Sequence, residues 1–218
     1  MRQLDTPYYL ELQRRFKDII LYVSCHQDNF ETYSIKIENL FVDTCAFFDS
    51  LCQTLITDMT VSGHSFSNSL SVKNFSDKIS GTEFFNMADY KTLLEREFTM
   101  SEKEVNLNIY EDYFFGNPQF LSRPVNGFKI KPFDNWETGG GLKWWTAYTK
   151  LKHNRLSNIK EATLEQTISS LGATFIILSL RNEVDFKNGK ISIELYEVFY
   201  PLYWEFKGKV GTGITMWK

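Results

Sequence analysis

The chain has no surplus of positive charge: 24 Lys and Arg stand against 27 Asp and Glu, a formal net charge of −3. Contact with nucleic acid has no global electrostatic basis here and would need a local basic patch. Cysteine is scarce. The three present, Cys25, Cys45 and Cys52, are an odd number with no CxxC pair, which argues against a disulfide framework and for reduced thiols in a cytosolic protein. The three histidines, His26, His64 and His153, sit far apart without ligand spacing, so neither a metal site nor a cofactor is expected. The opening MRQLDTPYYLELQRRF lacks an apolar signal core, and no apolar run approaches the length of a membrane span. A cytoplasmic protein without membrane contact is the expectation. No G-x-S-x-G, P-loop or G-x-G-x-x-G occurs, and Gly139-Gly140-Gly141 lacks the Lys-Ser/Thr that completes a phosphate loop.

What is present is apolar and aromatic. Hydrophobic residues make up 43% of the 218, with 19 Phe and 11 Tyr, enough to bury a core without staples and too much for a disordered tail. The expected class is mainly α, organised as one domain over 1–218. Its helical core covers 6–59 and 142–182, an insertion covers 60–141, and a hairpin with an aromatic tail covers 183–218.

Apolar spacing predicts the helices. Thr6 and Pro7 open the first, and Tyr9, Leu12, Phe16, Ile19 and Val23 follow at helical intervals until about Ser24. The second and longest is predicted over 29–59, opened by Asp28 and Glu31 as a capping pair. Its stripe runs Ile37, Leu40, Phe41, Thr44, Phe47, Phe48, Leu51, Cys52, Leu55, the mark of a half-buried helix. Cys45 and Cys52 fall in or beside the stripe as small apolar fillers. Glu38 and Asp49, eleven positions apart, project from one shoulder of it.

The insertion reads as mostly irregular. Residues 61–77 are polar and loop-like, and 87–98 predict a short helix. Val105, Leu107 and Ile109 alternate with polar neighbours as a strand, with Phe128 and Ile130 as its partner. A buried helix carries Leu164, Ile168, Leu171, Phe175 and Leu178, capped from Ser157 or Asn158. Then VDFKNGKISI, with Asn188-Gly189 at its centre, reads as a β-hairpin. Aromatics from Phe199 to Phe206 are expected to pack back on the helices.

The densest chemistry lies in Trp144 to Arg155, WWTAYTKLKHNR, predicted as one helix over 142–155. Trp144, Tyr148 and Leu151 share a stripe that suits a core, with Lys143, Lys150, Lys152 and Arg155 as its wet side. On the functional reading, Lys150, Lys152, His153 and Arg155 supply donors for a phosphodiester beside aromatic edges of Trp145 and Tyr148. Histidine as a residue type titrates near neutrality, which suits His153 to the role of proton carrier. A cation then stabilises charge on phosphorus-bound oxygens, while Asp49 and Glu38 orient these groups from the facing helix. The bland alternative is a structural ion pair from Lys152 or Arg155 to Asp49 or Glu38.

The long helix with its acidic shoulder, the insertion, and W-W-x-x-Y-x-x-x-K-H-x-R running into an apolar helix together resemble the HEPN-like superfamily of small prokaryotic helical domains. The resemblance covers about 29–59 and 142–182. It implies a helical bundle, a homodimer, and RNA binding or metal-independent RNA cleavage in defence or toxin–antitoxin systems, with His153, Arg155 and Lys152 at the site. Other members bind RNA or serve as scaffolds, so a non-catalytic adaptor that grips a protein partner or antitoxin is the alternative. Active members place an Arg four to six residues before the His; here those positions hold Thr146, Ala147 and Tyr148, and Arg155 follows instead. On an unbroken helix two positions turn the side chains about 200° apart. A shared site would require the helix to end near His153, or a second subunit.

Overall fold

A computed structural model describes residues 5–107, 128–188 and 193–203, and within them the chain is mainly helical with one small antiparallel sheet. Four longer helices carry the fold: α1 (Asp5–Ile20), α2 (Ile35–Val61), α6 (Lys143–His153) and α8 (Leu164–Arg181). Between α2 and α6 lie α3 (Phe75–Ser80), α4 (Met87–Tyr90), a π-helical turn at Lys91–Glu95, and α5 (Arg96–Phe98). The short α7 (Arg155–Asn158) links α6 to α8, and α9 (Glu183–Lys187) follows α8.

The apolar stripe of α2 is buried as the spacing requires. Ile37, Leu40, Phe41, Phe48, Leu51, Cys52 and Leu55 are all at most 4% exposed. Its start differs from expectation: 27–29 form a 3₁₀ turn, and the helix opens at Ile35 with Ser34 Oγ accepting from Ile37 N. Ser34 does what was expected of Asp28, because the chain first pairs with the start of α8. Tyr33 bridges Thr163, and Leu164 N donates to Thr32 O. At the far end Arg181 meets Asp58, so α2 and α8 run side by side in the same direction.

α8 is buried nearly all round, from Leu164 to Leu180. It tolerates hydroxyls in that setting because each closes on its own helix: Thr167 on Thr163 O, Ser170 on Thr167 O, Thr174 on Ser170 O, Ser179 on Ile176 O. Thr163 caps it through Gln166 N, five residues beyond the expected Asn158. Gly172 lets the sheet close on this helix, since a Cβ there would meet Val105 at 3.3 Å and Pro132 at 3.4 Å.

That sheet holds β1 (Val105–Leu107) between β2 (Phe128–Ile130) and β3 (Phe199–Pro201), with Val105 opposite both Ile130 and Pro201. The predicted pairing of 105–107 with 128–130 is present, and Ile109 lies outside the described residues. The third strand comes from the aromatic tail, whose described part also packs on a helix as expected, Phe199 against Phe175 and Tyr203 on Ser179 of α8; Pro201 suits its edge position. The hairpin reading is corrected for its first arm, since Glu183–Lys187 is helical; its Gly189 turn and 189–192 lie outside the described residues. The insertion is also more helical than expected. Lys78 of α3 is buried and donates to Asp89 and to Phe84 O, both at 2.8 Å, which pins α3 to α4.

One further correction concerns apolar length. α2 is long enough and, at a mean hydropathy of 1.2, apolar enough to cross a membrane. Contiguous apolar runs miss this because interspersed Thr and Ser scarcely lower the mean. In this fold its apolar stripe faces α1, α6 and α8.

Candidate functional site

α6 ends where the chemistry was expected to be richest. Asn154 leaves helical geometry at φ −153° and ψ 87°. Its side chain caps α7 through Ser157 N, and Asn158 Nδ2 donates to Lys150 O and Asn154 O. Orphan carbonyls at the end of α6 thus find donors, and Lys150, Lys152 and His153 sit in the last turn, where the helix dipole favours cations. The predicted helix over 142–155 is therefore two helices, broken at Asn154 instead of at Ser157 or Asn158. Arg155 opens the second helix and does not continue the face of Trp144, Tyr148 and Leu151.

The inward face of α6 is core. Trp144 is 2% exposed, its ring edge-on to Phe48 at 5.0 Å and its Nε1 donating to Pro132 O. Tyr148 is 7% exposed, and Trp145 is half-buried against Phe48 and Tyr148. Burial takes the Tyr148 ring out of reach of a stacking base, and Trp145 is partly covered. Burial, with Cys45 and Asp49 nearby, raises the Tyr148 phenol above its usual range.

The cations separate. Arg155 Nη2 donates to Glu38 Oε2 and Asn39 Oδ1, each at 2.5 Å, and the bond to Glu38 raises the guanidinium above its ordinary value. This is the helix-locking ion pair that the sequence offered as the plain alternative. Glu38 itself is 1% exposed, and its Oε1 has no hydrogen-bond partner among the described residues. Lys150 pairs with Glu161 at 3.0 Å, and Lys152 lies 5.3 Å from the centre of the Tyr148 ring. His153 is exposed.

The two carboxylates share a shoulder of α2 but not a site. Eleven residues put them about 16 Å apart along the axis. Asp49 instead accepts from the Tyr90 hydroxyl at 2.7 Å, joining α2 to the insertion. The structure thus brings together Glu38 with Arg155, and Trp145 with Tyr148 and Lys152. Asp49 lies near enough to the Tyr148 phenol to raise it while it accepts from Tyr90, and among the described residues no hydrogen bond, ion pair or ring contact joins His153 to either group.

Two clefts lie elsewhere. One, of about 220 Å³, is lined by Phe30, Phe128, Lys131, Lys143 and Trp144 among others. The other, of about 230 Å³, sits at the far ends of α2 and α8 and includes Asp58, His64, Phe98 and Arg181. There His64 Nε2 lies 3.2 Å from Glu97 Oε1, and its ring stands edge-on to Phe66. Sequence reasoning set His64 aside as a loop residue, and 33 positions separate it from Glu97, so no spacing signal joined them. Neither cleft is lined by His153 or Arg155. Cys45 and Cys52 are fully buried, and burial holds both thiols well above their usual range, which removes them as nucleophiles. Burial also lifts Cys25, to about 12.

No family model, curated protein or solved structure matches the chain.

Proposed function

We propose that the chain is a non-catalytic helical adaptor that grips a protein partner at the corner where α7 meets the start of α2. The observation that carries this is a group of exposed apolar side chains around the Glu38–Arg155 pair. Leu156 is 91% exposed, Ile35 68% and Tyr22 84%. Leu156 follows Arg155, whose guanidinium reaches Asn39, one helical turn from Ile35. Lys36, beside Ile35, lies over the Tyr22 ring. Scattered surface apolar residues are ordinary, but three large ones on the elements that the Glu38–Arg155 pair ties together suit an interface.

A second reading, RNA binding or cleavage by a HEPN-like homodimer in defence or toxin-type regulation, draws on the end of α6 at His153. That ending removes the rotation which would hold His153 and Arg155 apart on a continuous helix. Against it stand the commitment of Arg155 to Glu38 and the burial of Tyr148.

The test has two arms. The purified protein and its Leu156→Asp variant, matched in melting temperature, are used to capture interacting proteins. A partner held by the first and lost by the second is the expected result. Wild-type and His153→Ala proteins are also incubated with total RNA in EDTA. Cleavage that survives chelation and vanishes in the variant, leaving cyclic phosphate ends, overturns the adaptor reading.

A further inference from the structure

We infer that the α7–α2 corner takes an acidic segment of a partner protein, one carrying apolar side chains among its carboxylates; this rests on the adaptor reading. The argument is charge accounting. From 138 to 160 the sequence contains Lys143, Lys150, Lys152, Arg155 and Lys160 and not one Asp or Glu, in a chain whose net charge is −3. Folding returns few acids to this stretch. Glu38 is buried beneath Arg155, Asp43 is taken by Arg15, and Glu161 is taken by Lys150. Lys36, Lys152 and Lys160 are exposed and have no carboxylate partner among the described residues. The exposed carboxylates Asp28 and Glu31 lie in the segment before α2, Asp28 beside His26.

The apolar content selects polypeptide over nucleic acid. The most exposed side chain of the corner is the aliphatic Leu156, and Ile35 at the start of α2 is 68% exposed. Single-stranded nucleic acid is held by rows of open aromatic platforms; here Tyr148 is buried, Trp145 is half-buried, and the exposed Tyr22 ring has Lys36 over it. Aliphatic knobs beside lysines instead match a segment that alternates apolar anchors with Asp or Glu, the charges steering the approach and the anchors supplying the contact.

A display library of random 16-residue peptides, selected on the full chain and counter-selected on Leu156→Asp, tests this. Enriched peptides rich in Asp and Glu around Leu, Ile or Phe are expected. Synthetic copies should lose about tenfold or more in affinity with Leu156→Asp and again with Lys36→Glu/Lys152→Glu, while all variants keep the wild-type melting temperature. Enriched peptides that depend on Leu156 but are neutral or basic overturn the acidic partner and leave the adaptor standing. No Leu156-dependent peptide at all overturns both. A random-sequence 12-nucleotide RNA pool that binds, loses binding with Lys36→Glu/Lys152→Glu and is untouched by Leu156→Asp also overturns both, in favour of RNA.

Discussion

The two ends of α2 are tied by arginine in opposite ways. At its start an exposed guanidinium, Arg155 with 55% of its side chain open, reaches a Glu38 that is 1% exposed. At its finish the guanidinium is the hidden partner: Arg181 is 7% exposed beneath Asp58, itself 45% exposed, and it also pairs with Asp5. A guanidinium cannot shed its charge, so burying Arg181 obliges the fold to keep an acid beside it. At the near end the cation itself lies open to solvent, within reach of a partner. A structural lock occupies one end of the bundle, and a lock that doubles as a surface occupies the other.

The largest effect expected from this contrast follows Arg181→Met, which removes the cation from Asp5 and Asp58 and should cost about 3 kcal/mol. It is read from the urea midpoint at constant slope. Arg155→Met should also destabilise, because it leaves the buried Glu38 uncompensated, and Glu38→Leu/Arg155→Met should recover stability relative to Arg155→Met alone, because the buried acid goes with its partner. A double variant no more stable than Arg155→Met would break the comparison.

Between its ends α2 is governed by burial, and this sets the response to alkali. Burial raises Cys45, Cys52, Tyr9 and Tyr90, and Tyr90 is raised further by Cys52 and its bond to Asp49. A group raised in the folded state favours folding while it stays protonated. Its contribution is complete below the unfolded value, about 8.5 for Cys and 10 for Tyr. It then falls by about 1.4 kcal/mol per pH unit for each group until the folded value is reached. Unfolding free energy should hold level from pH 7 to 8, then decline with steepening slope above about 9. Phenolate absorbance from Tyr9 and Tyr90 should rise only with unfolding. A flat profile to pH 11 would show that these groups are not held protonated by the core.

Much of the fold was legible because apolar spacing records burial directly. The stripes of α1, α2 and α8 fixed their inward faces, and alternation at 105–107 and 128–130 fixed a strand pair. Helix starts were less legible, since Asp28 and Asn158 look as good as caps as Ser34 and Thr163; only the Tyr33–Thr163 bridge decides between them. The strand Phe199–Pro201 was hidden for a similar reason: its pairing with 105–107 spans more than ninety positions. At the candidate site the KHNR residues were visible, but their relation depended on one backbone torsion at Asn154. Spacing assigned Glu38 and Asp49 to one shoulder correctly. It carried no information on the Tyr90 hydroxyl that holds Asp49.

A smaller effect bears on those caps. Ser34→Ala and Thr163→Ala each remove the acceptor for an otherwise orphan amide and should cost about 1 kcal/mol. Because α2 and α8 begin side by side, joined through 32–33 and 163–164, the two losses should not add. A double-mutant cycle giving strict additivity would show the two helix starts to be independent.

The smallest effect separates lock from surface most sharply. Lys150 is paired with Glu161 at the surface, side chains 49% and 32% exposed, so Lys150→Ala should cost at most about 0.5 kcal/mol and leave partner binding intact. Leu156→Asp should change stability as little, since the side chain is 91% exposed, yet it should abolish binding. Both residues lie within seven positions on the same corner, so a general loosening of α7 would weaken both variants alike. Only a real division between side chains that hold the bundle and side chains that face a partner predicts that one is silent while the other is not.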